Sequence, residues 1–124
     1  MAEYYRSQTA IANDRDFTAT FTNEYTEDQT AVAIITPSTG RSLKITGVYI
    51  STEGATTIGQ KVRLYFATSA NTVASFFPSA VADTASTIEI DKILVRGAQN
   101  EALSLTSNLG AGKNYYIAIN YKEE

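Results

Sequence analysis

The glycine-rich stretch at residues 110–113, GAGK, is the part of this chain closest in type to a phosphate-binding loop. Such a loop needs a glycine five residues before its second glycine and a Ser or Thr directly after its lysine. Ser107 and Asn114 occupy those two positions here. Because strand-like alternation lies on both sides of the stretch, we interpret it as a tight turn and not as a nucleotide site.

Ser42 and Lys44 are two residues apart in a predicted strand, so they share one face, as a Ser–Lys nucleophile pair would require. The sequence offers no further base and no oxyanion-stabilising group to accompany them. Hydroxyls beside amines are common on exposed β faces. We therefore predict an ordinary surface at these two residues.

Two acidic pairs, Asp14 with Asp16 and Glu89 with Asp91, have the spacing that a calcium site or a glycosidase dyad could use. The first pair lies in a predicted loop and the second alternates with isoleucines, as on any solvated strand, so we interpret both as surface charge. The chain has no Cys and no His, which excludes disulfides, thiolate chemistry and imidazole chemistry. We predict no catalytic residue, no cofactor, no metal site and no enzymatic activity.

Aromatic side chains are the remaining functional candidates. Tyrosines on an exposed β face can stack on sugar rings or anchor a protein interface, and the alternative is ordinary cross-strand packing. Two adjacent phenylalanines, in SFFPS, cannot both point inward from one strand. The residues predicted to make protein contacts are Tyr4, Tyr5, Arg6, Phe76 and Phe77. The candidates for ligand stacking are Tyr49, Tyr65 and Tyr116.

The C-terminal candidates lie in segments where apolar and polar residues alternate, which places each apolar set on one face of a sheet. The alternating apolar positions are Leu103, Leu105 and Leu109 before the glycines, and Tyr115, Ile117, Ile119 and Tyr121 after them. The glycines supply the positive-φ positions of a tight reversal, so we predict a β-hairpin. We expect its last strand to be central in a sheet and the terminal KEE to be solvated.

Two alternating segments lie upstream, RSLKITGVYIST and QKVRLYFAT. The alternation of the first changes parity at Gly47, which predicts a β-bulge there. The hydrophilic stretch TEGATTIG between the segments is predicted to join them as a second hairpin.

The other predicted strands are shorter. DFTATFTNEY alternates, QTAVAIITP is a buried strand that Pro37 stops, and STIEI with ILVRG forms one strand broken near Asp91 or two short ones. ATSANTVASFFPSAVADTAS contains Pro78 and many hydroxyl residues, so we predict a long loop there.

About seven or eight short strands with regular turn signals predict an all-β fold, an antiparallel, jelly-roll-like β-sandwich. Its 124 residues suit one domain, which we place at residues 17–124. Residues 1–16 lack periodicity, and we predict an N-terminal arm that becomes ordered on contact with a partner.

Charge and hydropathy limit the partners. The net charge is −3 and the ten basic residues are scattered, so we predict no nucleic-acid binding. No apolar run approaches the ~20 residues that span a bilayer, and the N-terminus lacks the apolar region of a signal peptide. We therefore expect that the protein is made in a cytosol and does not associate with a membrane.

One part of the sequence resembles a broad group of small bacteriophage virion proteins. Their pattern P-x-x-G-[KR]-x-L-x-[IV]-T-G is met by Pro37, Gly40, Arg41, Leu43, Ile45, Thr46 and Gly47. A late NEALSL strand and a final aliphatic strand that ends in Tyr and acidic residues extend the resemblance over about residues 32–124. The group is similar to jelly-roll head-decoration (cement) proteins, head fibres and tail accessory proteins.

The resemblance implies a structural subunit that assembles, often as a homo-trimer, on a capsid or tail lattice. Its partner would be the major capsid protein or another virion protein, and its location the virion, assembled in the host cytoplasm. The leading hypothesis is a capsid decoration protein that oligomerises and bridges capsid subunits. The alternative is a carbohydrate- or receptor-binding module of a phage tail or fibre, which would need coplanar tyrosines.

Overall fold

The computed structural model describes residues 18–81 and 84–124. The strands in these ranges are β1 (Ala19–Tyr25), β2 (Val32–Ile35), β3 (Leu43–Thr52), β4 (Val62–Phe66), β5 (Asn71–Phe76), β6 (Ser86–Ile90), β7 (Val95–Arg96), β8 (Leu103–Ser107) and β9 (Tyr115–Glu123). No helix occurs in the described ranges, and hence none there that could cross a membrane. The arm predicted at residues 1–16 lies outside them.

The strands form two antiparallel sheets. Sheet A has the order β1-β9-β3-β6, with the short β7 also pairing with β3, and sheet B has the order β2-β8-β4-β5. With β7 set aside, four strands in each sheet are joined in the order of a jelly roll. The all-β antiparallel sandwich predicted from the sequence is therefore confirmed.

The core lies between the sheets, and most of it comes from alternate residues of the four central strands. Its fully buried members include Ile45 and Ile50 on β3, Ile117 on β9, Leu64 on β4 and Leu105 on β8. These strands are rich in Ile, Leu, Val and aromatic residues, which suit a pleated surface with one buried face. Period-2 alternation thus sends one set of side chains into the core and leaves the other for the outer faces.

The predicted bulge at Gly47 is confirmed, because the pairing of β3 with β9 changes register between Ile45 and Gly47. The prediction that the last strand is central is also confirmed, since β9 lies between β1 and β3. Of the two alternatives near Asp91, two short strands are found, and both β6 and β7 pair with β3.

Both predicted hairpins are wrong. The loop after β8 crosses from sheet B to sheet A, where β9 pairs with β1 and β3, and the loop after β3 crosses in the opposite direction. The glycines at 110 and 112 have positive φ, as predicted, but the turn joins the two layers. Alternation and turn residues are the same for a hairpin and for a crossing between sheets. Only long-range pairing distinguishes the two.

The long loop predicted after β4 is also wrong, because β5 lies within it and pairs with β4. A register shift opposite Leu64 and Tyr65 places Val73 and Ala74 in succession among the buried residues. The bulge removes the period-2 signature by which the strand could have been recognised.

The C-terminal residues are not simply solvated, which corrects the expectation for KEE. The carboxylate of Glu124 accepts hydrogen bonds from Arg96 Nε at 2.8 Å and forms an ion pair with Lys44 Nζ at 3.1 Å. Glu124 also exchanges two backbone hydrogen bonds with Ser42. The Glu123 carboxylate accepts a hydrogen bond from the Ser38 amide. Side chains that end a strand can therefore attach it to its neighbours.

Candidate functional site

The loops after β1, β3, β5 and β8 meet at one end of the sandwich, which we call the loop end. Backbone hydrogen bonds join them, among them those from the Ala55 amide to the Ser79 carbonyl at 2.9 Å and from the Thr56 amide to the Leu109 carbonyl at 3.0 Å. The Asp28 carboxylate accepts hydrogen bonds from the Leu109 amide at 2.8 Å and the next amide along the chain. These bonds hold the surfaces of the loop end in a defined shape.

The loop end carries a solvent-exposed apolar depression of about 420 Å³, which we call the apolar patch. Its residues are Ile58, Gly59, Phe77, Pro78, Ser79, Ala80 and Val81. The side chain of Ile58 is 94% exposed, that of Val81 67% and that of Phe77 57%. Clustered apolar side chains in solvent are a mark of an interaction surface.

The adjacent phenylalanines point in different directions, in agreement with the geometric argument from the sequence. Phe76 is partly buried and packs against the core at the end of β5, whereas Phe77 belongs to the apolar patch. The Lys61 ammonium lies 5.7 Å from the centre of the Phe77 ring, within the range of a cation–π contact. Contact by Phe77 with a partner stays a prediction. Tyr4, Tyr5 and Arg6 lie outside the described residues.

A second surface is a polar cleft of about 260 Å³ on the outer face of sheet A, which we call the tyrosine cleft. Its lining residues are Glu24, Ser51, Thr52, Glu53, Ala85, Asn114, Tyr115 and Tyr116. Strand register sets its centre, because Tyr116 of β9 lies opposite Glu24 of β1 on one side and Ser51 of β3 on the other. Tyr115 also borders the cleft, but its side chain points into the core, where burial raises the pKa of its hydroxyl to about 12.

Tyr49 extends this surface along sheet A. Its ring centre lies 6.2 Å from that of Tyr116, with 67° between the ring planes, so the two rings meet edge to face and are not coplanar. Beyond Tyr49 is a smaller hollow of about 60 Å³, lined in part by Glu89, Asp91 and Asn120. The two hollows thus lie on either side of the Tyr49–Tyr116 pair.

The third predicted stacking residue, Tyr65, lies on β4 of sheet B, on the opposite side of the sandwich. The Arg63 guanidinium lies 4.3 Å from the centre of its ring, and its hydroxyl is 2.9 Å from that of Thr106. The structure therefore brings together two of the three tyrosines and separates the third. A single platform of all three is not formed.

Of the residues considered for catalysis, Lys44 is engaged in an ion pair in the structure. The Lys44 ammonium is paired with Glu124, which leaves it poorly placed to serve as a base for Ser42. Within residues 18–81 and 84–124 no group of three or more potential metal ligands occurs. The acidic pair Asp14 and Asp16 lies outside those ranges.

Sequence reasoning did not identify several residues of these surfaces. Ile58 carried a signal, since it is a lone large apolar residue in the hydrophilic TEGATTIG loop. Glu24, Glu53 and Asn114 carried none, because only the pairing of β1, β9 and β3 brings them to one cleft.

Comparison with known proteins gives distant structural likenesses only. No protein-family model matches the chain, and no curated protein matches it. The C-terminal CBM6 of LamC, a marine laminarinase from Zobellia galactanivorans, is 14% identical with a TM-score of 0.46, over 83% of this chain and 98% of that one. A chain of the cyanophage Pam1 capsid asymmetric unit is 17% identical with a TM-score of 0.47, over 86% and 83%.

A further similar structure is the carbohydrate-binding module CBM6cm-2 of Cellvibrio mixtus lichenase 5A, in complex with cellotriose. It is 16% identical with a TM-score of 0.39, over 88% of this chain and 92% of that one. Likenesses at this distance do not indicate what the present chain binds.

Proposed function

We propose that this chain is a non-enzymatic structural protein of a bacteriophage virion, specifically a capsid decoration (cement) protein that oligomerises and bridges capsid subunits. The observation that carries the proposal is the apolar patch, where Ile58, Phe77 and Val81 are largely exposed. Exposed apolar side chains that cluster in this way fit a role in which the protein works by making contact.

Burial of the apolar patch against a partner would contribute favourable binding free energy. Fully burying one large apolar side chain contributes about 1.5–3 kcal/mol. The backbone hydrogen bonds from Ala55 to Ser79 and from Thr56 to Leu109 hold the loops on either side of the patch. A surface that is ordered before binding loses less conformational entropy when it meets its partner.

The partner follows from the sequence resemblance to small virion proteins over about residues 32–124. The resemblance favours the major capsid protein or another virion protein as the partner. It also favours a homo-trimer as the assembled form. The location would be the virion, which is assembled in the host cytoplasm. In this mechanism one trimer contacts neighbouring capsid subunits, and the bridge raises the barrier to their separation.

The direct test uses capsid shells of the encoding phage that lack this protein. We expect saturable co-sedimentation of the purified protein with the shells and a higher temperature of shell disruption. Ile58→Asn removes an apolar contact without disturbing the core, because the side chain is 94% exposed. It should weaken binding by about tenfold or more if Ile58 is buried in the contact.

Leu94→Asn is the matched control, because Leu94 is also a largely exposed apolar residue, 63% accessible. It lies beside the first half of β3, between β6 and β7, away from the loop end. The Leu94→Asn variant should bind the capsid shells as the unmodified protein does. Absence of binding to the shells, or equal weakening by both substitutions, would contradict the proposal. A monomer at all concentrations by light scattering would exclude the trimer.

A further inference from the structure

We propose that the tyrosine cleft binds one uncharged sugar ring of a glycan. The cleft lies on the outer face of sheet A and shares no residue with the apolar patch, so the inference goes beyond the assembly role and stands independently of it.

The cleft offers one stacking surface of the size of a single ring. Tyr116 is 37% exposed at the cleft, and Tyr49 meets it edge to face with 67° between the ring planes. This contact holds Tyr116 from one side, and among the described residues that line the cleft Tyr116 is the one exposed aromatic ring, because Tyr115 is buried. A volume of about 260 Å³ is smaller than the ~300–1,000 Å³ of pockets for drug-sized ligands. Both features fit one pyranose ring and do not fit a long platform.

Hydrogen-bonding groups surround the aromatic ring. The Asn114 amide donates to Glu53 Oε1 at 3.0 Å, and the Glu53 amide donates to the Asn114 carbonyl, also at 3.0 Å. This reciprocal pair fixes the Glu53 carboxylate and leaves Oε2 as an acceptor. Glu24 and Ser51 flank Tyr116 across the strands. Carboxylates accept from hydroxyls, while the Asn114 side-chain amide both donates and accepts, and a sugar ring presents groups of both kinds.

Charge selects among ligands of this shape. Two carboxylates, those of Glu24 and Glu53, line the cleft, and no lysine or arginine is among its lining residues in the described part of the chain. Phosphates and acidic sugars would be repelled. An uncharged sugar pairs its hydroxyls with the carboxylates without that penalty. The competing occupant is a cationic side chain of a partner protein, and the experiment must separate it from a sugar.

The test is a titration of the ¹⁵N-labelled full-length protein with the methyl glycosides of glucose, galactose, mannose and N-acetylglucosamine. At least one should give saturable shifts of the Ser51, Asn114 and Tyr116 amides, with a Kd on the order of millimolar for so small a ligand. Methyl glucuronide should bind more weakly than methyl glucoside, because its carboxylate faces those of the cleft.

Tyr116→Ala should lower the affinity roughly fivefold to tenfold, by loss of the stacking surface. Tyr65→Ala is the matched control, because Tyr65 lies on sheet B and its ring is covered by Arg63. The chemical-shift dispersion of the amide signals shows whether each variant is folded. Glu24→Gln changes one carboxylate of the cleft and leaves its aromatic rings in place, so it tests the cleft independently of stacking.

No saturable shift with any of the glycosides overturns the inference. So does an equal loss of affinity in Tyr116→Ala and Tyr65→Ala. A parallel titration with arginine amide covers the competing occupant: tighter binding of arginine amide than of every glycoside at the same three amides also overturns it. Ile58→Asn lies outside the cleft and should leave sugar affinity unchanged, so failure here is distinguishable from failure of the capsid-binding proposal.

Discussion

The hydroxyl of Tyr115 lies 2.6 Å from the hydroxyl of Ser107, in the buried space between the two sheets. Tyr115 begins β9 in sheet A and Ser107 ends β8 in sheet B, so this hydrogen bond joins the layers at the point where the chain crosses between them. The Gln29 amide also donates to Ser107 Oγ, at 2.9 Å. The ring of Tyr25 stacks on that of Tyr115, with 5.1 Å between ring centres.

Stability should decline at alkaline pH because of Tyr115. Burial raises the pKa of its hydroxyl to about 12, and the hydrogen bond with Ser107 acts in the opposite direction without cancelling the effect. The unfolded chain therefore releases this proton at lower pH than the folded protein does. The stabilisation is complete below pH ~10 and is lost between about pH 10 and 12, at most about 2–3 kcal/mol.

Unfolding by urea at a series of pH values from 9 to 12 measures this decline. Tyr115→Phe cannot ionise, so its free energy of unfolding should fall less steeply over that range. Tyr49→Phe is the control, since the Tyr49 ring is only partly buried on the outer face of sheet A, and its profile should follow that of the unmodified protein. Parallel decline of Tyr115→Phe and the unmodified protein would refute the assignment.

Glu101 should stabilise the end of the sandwich opposite the loop end. Its carboxylate accepts hydrogen bonds from the Ala98 amide at 2.7 Å and the Ser69 amide at 2.9 Å, and so attaches the loop before β8 to the turn after β4. Burial acts to raise the pKa of Glu101, but the hydrogen bonds from Ala98 and Ser69 outweigh it, and the pKa lies below its usual value. The resulting stability is present above pH ~4.5 and is lost as pH falls through the lowered pKa.

Glu101→Gln keeps the size of the side chain but removes its charge, so we expect a loss of about 1–2 kcal/mol at neutral pH. The variant should also lose less stability than the unmodified protein between pH 5 and 3. Glu89→Gln, on the exposed side of β6, is the matched control and should change the free energy of unfolding by less than about 0.5 kcal/mol. Equal effects of the two substitutions would contradict the stabilising role of Glu101.

Much of the fold could be predicted from the alternation of apolar and polar residues. What alternation cannot predict has a physical reason. Leu105 and Ile117 are both fully buried, as their parity indicated. Their strands were nevertheless predicted to pair, while they lie in different sheets. Parity reports which side of a strand faces the core, and it carries no information about which strand lies beside it. That choice depends on contacts between residues far apart in the chain.

The candidate surfaces also contain features that the local sequence predicts and features that depend on strand pairing. The sequence predicted that one of the two adjacent phenylalanines is exposed, and only the structure shows that Phe77 is the exposed one and Phe76 the one packed against the core. The tyrosine cleft could be predicted only in part, through Tyr49 and Tyr116. Glu24 lies beside Tyr116 because β1 pairs with β9, and no local sequence pattern predicts that pairing.

The crossing between β8 and β9 should depend on Gly110 more than on Gly112. Both have positive φ, of +98° and +77°, but a Cβ at Gly110 would lie 2.5 Å from Thr56 Cγ2, whereas a Cβ at Gly112 would meet nothing within 4 Å. Thr56 cannot easily move aside, since its hydroxyl donates to Gln60 Oε1 at 2.8 Å and its amide donates to the Leu109 carbonyl.

Gly112→Ala should therefore cost only the backbone strain of a left-handed residue, about 1–2 kcal/mol. Gly110→Ala should cost that amount and about 1–3 kcal/mol more for the steric conflict with Thr56. Urea unfolding of the two variants measures the difference. Thr56→Ala removes the nearest atoms, so combined with Gly110→Ala it should cost less than the sum of the single substitutions. Equal destabilisation by the two glycine substitutions would mean that Thr56 does not confine the turn.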